Sequence, residues 1–207
     1  MKRTLLIIIA FMLSFSLVKA QPVSDMGVIP IGVSLNSILR LNIVKGGNIE
    51  FIVSTFKQFD EGIANAPIYD TEFTVASSVD FDVTLYSESD NLTGVGLSGA
   101  TPNTMAALNV GYLVEATAGA GGADGTNWDL PADIEGIGTA AVAIVAGIAG
   151  FAAGDITQNA FTINWELATD GIGNDMLGDA VITKDLLKQN IPSDRYVVNV
   201  FLVLKAQ

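Results

Sequence analysis

The sequence predicts an all-β protein, an antiparallel β-sandwich of immunoglobulin-like or fimbrial type with long Gly/Ala-rich loops and one short helix. Two alternating stretches and one glycine turn carry that expectation. From Phe73 to Tyr86 the odd positions read Phe, Val, Ser, Val, Phe, Val and Leu, and the even ones are mostly Thr, Ser and Asp. Side chains of a strand point alternately to opposite faces, so this pattern puts one face in a core and the other in water. Phe161 to Leu167 repeats it without a fault. Between the apolar runs Ile38–Val44 and Ile49–Val53 lies Lys45-Gly46-Gly47-Asn48, a hairpin signal because glycine supplies the positive φ of a tight turn.

The elements follow in chain order. Met1 to Ala20 has the form of a signal peptide: Lys2 and Arg3, an apolar core from Leu5 to Leu13, and Val18-Lys19-Ala20 before the expected cut. Its apolar stretch of 14 residues is too short for a membrane-spanning helix, which needs roughly 18–20. No cysteine follows to take a lipid anchor, so a mature chain from Gln21 and export from the cytoplasm are expected. Residues 21–207 then read as a single sandwich domain, with 21–36 an edge or donor strand. In that segment Ile29, Ile31, Val33 and Leu35 alternate with Pro30, Gly32, Ser34 and Asn36. Pro30 cannot donate a ladder bond, which confines such a strand to a sheet edge. It can lie on its own sheet, the simpler arrangement, or complete the sheet of a neighbouring subunit.

Ser77-Ser78 marks a bulge or bend that divides the long alternating stretch in two. Tyr112–Thr117 is a further short strand. Asn91–Thr104, Ala116–Asn127 and Asp170–Gly178 are glycine-, alanine- and asparagine-rich and read as long surface loops. Ile137–Ala153 is uncharged and apolar but carries Gly138, Gly147 and Gly150 and no basic flanks, so it reads as a strand over Thr139–Ala146 and a turn at Gly147–Gly150. If exposed, Val142, Ile144 and Ile148 would form a subunit interface. Thr183–Gln189 is the expected helical turn, with Asp185 early and Lys188 late as the helix dipole prefers. Tyr196–Leu204 is apolar on both faces apart from Asn199, the composition of a closing strand in the middle of the core.

Composition removes whole classes of chemistry. Among 207 residues there is no histidine and no cysteine, so zinc and haem sites of the usual kind, Ser-His and Cys-His nucleophiles and stabilising disulfides are all absent. Beyond residue 20, seven basic residues face 22 acidic ones, and no Lys or Arg occurs between Lys57 and Lys184. Such a surface repels phosphate backbones, which excludes nucleic acid as a partner. The acidity serves solubility outside the cell, and it could also collect divalent cations.

Few residues are left to carry a site. Asp80, Asp82 and Glu166 are carboxylates on polar strand faces, which the alternation already explains, so no enzyme is expected. Asp170-Gly171-Ile172-Gly173-Asn174-Asp175-Met176-Leu177-Gly178-Asp179 resembles one turn of the calcium-binding glycine-rich nonapeptide repeat through Gly171, Gly173, Asp175 and Leu177. Stacked copies build that calcium shell and this chain has one, so a plain Gly/Asp loop is the reading. Should calcium be bound, Asp170, Asp175 and Asp179 are its first ligands. Trp165 falls on a core face. Trp128, beside Asp129 and Pro131, is the one platform on which a glycan could stack. Asn91-Leu92-Thr93 is a glycosylation sequon.

Taken together, the leader, the Gln21 start, the alternating N-terminal strand, the acidic-faced strands and the apolar Tyr196–Leu204 resemble fimbrial or pilin-type surface subunits of Gram-negative bacteria. The chain departs from them in lacking a disulfide. The resemblance implies a sandwich of roughly seven to ten strands. It further implies a structural role at the cell surface, assembly with copies of itself by strand pairing, and contacts with other surface proteins or glycans. The competing expectation is a monomeric secreted module binding glycan or calcium.

Overall fold

The computed structural model describes residues 29–96, 101–169 and 185–207; the expected leader and cleavage site, and the calcium candidates Asp170, Asp175 and Asp179, lie outside the described residues. The chain divides into two units, Met1–Leu35 and Asn36–Gln207. In the first, residues 29–35 carry no ladder, and Ile29, Ile31, Val33 and Leu35 are 78–92% exposed. The expected strand is therefore not formed there: Pro30 offers no N–H, and alternation alone makes no strand without a partner.

The second unit is all-β, with twelve strands in three sheets among the described residues. One sheet runs β1 (Leu39–Lys45), β2 (Asp70–Ser77), β10 (Ala160–Leu167), β6 (Val110–Ala116) and β8 (Glu135–Gly136). The facing sheet runs β12 (Val200–Ala206), β3 (Phe81–Ser87), β9 (Val142–Gly147) and β7 (Trp128–Asp129). A small third sheet joins β11 (Tyr196–Val197), β4 (Asn91–Gly94) and β5 (Thr104–Ala106). All pairings are antiparallel.

The Phe73–Tyr86 alternation becomes two strands of different sheets. β2 ends at Ser77 and β3 begins at Phe81, so Ser78–Asp80 crosses from one layer to the other. The Ser77 hydroxyl donates to the Val79 carbonyl and accepts from the Val79 amide at 3.1 Å, which fixes the bend. Phe73 and Val75 on one side and Phe81, Val83 and Leu85 on the other are all buried and belong to one core cluster. The expected hairpin, by contrast, does not form. β1 pairs with β2, and Ile49–Val53 joins no strand. A two-residue hairpin of type I′ needs positive φ at both central residues, and here only Gly46 has one, at 68°. A Cβ on Gly46 would overlap the Asp70 carbonyl, so the glycine serves a close approach to β2 instead.

One stretch expected as loop, and one for which no element is expected, form regular structure. Asn91–Thr104 contains β4 and leads into β5, its partner. Thr55–Gln58 begins a helix, α1 (Phe56–Glu61), through a capping box: Thr55 Oγ1 accepts from the Gln58 amide at 3.2 Å while Gln58 Oε1 accepts from the Thr55 amide at 3.1 Å. The second helix, α2 (Leu186–Gln189), is the one expected; Asp185 caps it, accepting from the Lys188 amide at 2.6 Å. β9 and the Ala149–Phe151 turn lie where the alanine-rich stretch placed them, and among the described residues no helix is long and apolar enough to cross a membrane.

Trp128 corrects a second expectation. It is fully buried, pairs with Gly147 through β7, and meets Phe161 edge-on at 4.8 Å between ring centroids. The loop Ala116–Asn127 covers it, and a side chain on Gly122 would overlap the indole ring. The neighbouring Asp and Pro made it look exposed; a glycine-rich loop folding over the ring is what buries it. Ile144 is likewise fully buried and no interface residue, Val142 is 39% exposed and Ile148 is half-buried. Truncating a buried tryptophan removes its contacts and leaves a cavity. Trp128→Ala should lower stability by about 3–5 kcal/mol in a denaturant melt, whereas Phe56→Ala, at a side chain 84% exposed, should change it little.

Candidate functional site

The acidic residues come first, because they were the possible chemistry. Asp80 accepts backbone amides from Gly150 at 2.5 Å and Ala152 at 3.1 Å. Asp82 accepts from the Gly147 amide at 3.0 Å and from Gln207 Nε2 at 2.7 Å. Both carboxylates thus hold the turn after β9 and the end of β12. Asp90 receives the Thr139 hydroxyl at 2.7 Å, Asp155 the Thr157 hydroxyl at 2.6 Å, and Asp194 the Gly96 amide at 2.6 Å and the Asn103 amide group at 2.9 Å. Glu166, expected to face solvent, is fully buried opposite Gly111 and accepts the Thr169 hydroxyl at 2.6 Å. β10 lies between β2 and β6, and the chain turns back at Ala168, whose φ is 50°, bringing Thr169 onto the carboxylate. Among the described residues no three acidic groups converge as a metal site.

What remains open is an edge. β1 and β12 end their respective sheets on the same side of the sandwich, where their Cα atoms come within 8 Å, yet they share no ladder. Register fixes which side chains point inward. Leu39, Leu41 and Ile43 lie opposite Ser77, Val75 and Phe73, and Val200, Leu202 and Leu204 lie opposite Ser87, Leu85 and Val83. These partners are buried, but Leu39 is 36% and Ile43 47% exposed, and Leu41, Val200, Leu202 and Leu204 are only half-buried. The inward row of both edges is therefore incompletely covered.

The two edges differ. Both carry a lysine near their ends, Lys45 and Lys205, but β1 also has a register shift between Ile43 and Lys45, a device that discourages further pairing. β12 pairs with β3 over seven consecutive residues without a shift. Its outer face carries Phe201, which lies 5.2 Å from Tyr86, then Val203 and Lys205. The expectation of a central strand here is corrected: β12 is an edge strand among the described residues. Its composition nonetheless is that of a strand covered on both faces, and Phe201 on the outer face is 41% exposed. That mismatch was readable only once the topology was known.

No protein-family model matches the chain, and no curated protein matches its sequence.

The carboxylates give this site's surroundings a pH dependence. Asp80 is held below its ordinary value of 3.8, first by the Gly150 amide, and Asp155 below the same value, first by the Thr157 hydroxyl. A value lowered by folding contributes stability that is full above the unfolded value and disappears as pH falls through the folded one. Acidification below about pH 4 should therefore loosen the Gly147–Gly154 turn. Protection of the Gly150 and Ala152 amides against hydrogen exchange should fall there before that of β10, and Asp80→Asn should remove that pH response.

Proposed function

We propose that this protein is a non-enzymatic structural subunit of an extracellular homopolymer, a pilus- or fimbria-like fibre or a cell-surface layer, in which the segment Ile29–Leu35 of one copy pairs with the open edge of the next. The observation that carries this reading is β12, an edge strand with apolar side chains on both faces and a half-covered inward row. The segment supplies the matching element: four apolar side chains at alternate positions, exposed and in no ladder. Pro30 near its start leaves the remaining amides free to bond.

Magnitudes make the pairing sensitive to single residues. Burying four side chains of this size contributes roughly 6–12 kcal/mol, and ordering seven residues of backbone costs roughly 7–14 kcal/mol. The two nearly cancel, so ladder bonds and covering of the β12 row decide the outcome, and one inward charge tips it. The competing reading, a monomeric module that stacks glycans on Trp128, loses its platform because the ring is buried.

Deleting Gln21–Asn36 should leave a folded monomer that forms no filaments, and Val33→Asp should do the same with the full chain. Electron microscopy and size-exclusion chromatography of the mature protein, with and without a calcium chelator, would decide it. A monodisperse monomer in both conditions would sink the structural reading.

A further inference from the structure

The sequon Asn91-Leu92-Thr93 is a motif that the structural role leaves unused, and it occurs once in the chain. It lies on β4, the middle strand of the small third sheet. Alternation sends Leu92 inward, where it is 7% exposed and belongs to the core, and sends Asn91 and Thr93 outward together, both exposed. Along a strand, residues two apart are separated by roughly 6.6 Å of rise. An amide group and a hydroxyl therefore stand side by side on one open face.

The cross-strand neighbours leave the Asn91 side chain open. Asn91 lies opposite Ala106, and Thr93 lies opposite Thr104 on one side and Val197 on the other. None of these carries a charge, and the Ala106 methyl is too short to cover the amide. Other asparagines use their amide nitrogens to hold the fold. Asn65 donates to Asp70, Asn103 to Asp194, Asn164 to Glu115 and Asn199 to Glu88, at 2.7–2.9 Å. Asn91 Nδ2 and the Thr93 hydroxyl have no such partner among the described residues. β11, which closes β4 from one side, follows near the C-terminus, so an emerging chain presents the sequon before its strand is enclosed.

We propose that Asn91 is an N-glycosylation site, the acceptor of an oligosaccharide delivered from a lipid-diphosphate carrier. Asn91 Nδ2 bonds to the anomeric carbon of the first sugar. The bond from that carbon to the carrier's diphosphate oxygen breaks, the diphosphate leaves with the bonding pair, and the amide gives up one proton. Thr93 is the recognition residue, whose hydroxyl the transferring enzyme holds. A glycan there gives a hydrated cover to the face that also exposes Val197, at 41%. The inference does not depend on strand pairing, but it rests on the export expected from Met1–Ala20.

The test is mass spectrometry of the protein isolated from the cells that make it, before and after an amidase that cleaves glycosylated asparagine. The expected result is a peptide containing Asn91 that is heavier by a whole number of sugar residues, and that the amidase returns free of sugar with its side-chain amide hydrolysed to a carboxylate. Thr93→Ala should abolish the modification and Thr93→Ser should keep it. Because that hydroxyl holds nothing in the fold, both variants should give the circular dichroism spectrum of the natural chain. An unmodified Asn91 overturns the assignment, and the N-terminus of the same sample says what falls with it. A chain beginning at Met1 overturns export as well, whereas one beginning at Gln21 leaves export standing. Sugar found on a serine or threonine with Asn91 bare also overturns the assignment.

Discussion

Phe161 is where the layers of this protein are joined. Its ring stacks on Phe73 of the neighbouring strand at 5.1 Å and meets Trp128 of the opposite sheet at 4.8 Å. Trp128 in turn presses on Gly122, which fixes the long loop over the end of the core. One aromatic cluster thus holds strand to strand, sheet to sheet and loop to sheet. Aromatic pairs of this geometry add about 0.5–1.5 kcal/mol each beyond the area they bury. In a chain with no disulfide, burial of this kind has to supply the stability that cross-links give many exported domains.

The loops are fastened by a second device, and it explains the acidity better than cation binding does. Asp80, Asp82, Asp124, Asp155 and Asp194 each accept at least one backbone amide from a turn or loop. A charged acceptor makes such a bond about twice as strong as a neutral one, and it ties down a loop without a partner side chain. The ion pairs of the described residues are exposed on at least one side, such as Lys57–Glu61 at 71% and 48%, and pairs of that kind contribute little. Carboxylate-to-amide bonds therefore let a protein with few basic residues order long glycine-rich connections.

The strands were legible because a half-buried strand writes its environment at every second residue. Phe73, Val75, Phe81, Val83 and Leu85 named the core directly. What sequence missed depends on contacts made from far along the chain. Nothing near Trp128 signals that Gly122 will close over it, and nothing near Glu166 signals a turn at Ala168. The capping box at Thr55–Gln58 was a local signal that went unread. At β12 the composition pointed to a strand in the middle of the core and the structure makes it an edge, because the strands that flank a segment are not a property of the segment. Edge or centre is decided by topology, and here by the pairing partner of β1. The candidate site was thus visible in its pieces, Ile29–Leu35 and Tyr196–Leu204, and not in their relation.

The two tryptophans sit in unlike surroundings. Trp165 lies beside Tyr112 and donates its indole N–H to Thr71 Oγ1 at 2.9 Å, near the Asp70 end of β2. Trp128 pairs with Gly147 near the Phe81 end of β3, and its indole N–H meets no acceptor among the described residues. Their emission should therefore differ in colour, and each reports on one end of the sandwich. With one of them replaced by phenylalanine, the other becomes an intrinsic optical probe, and the order in which the two ends come apart can be followed without attaching a label.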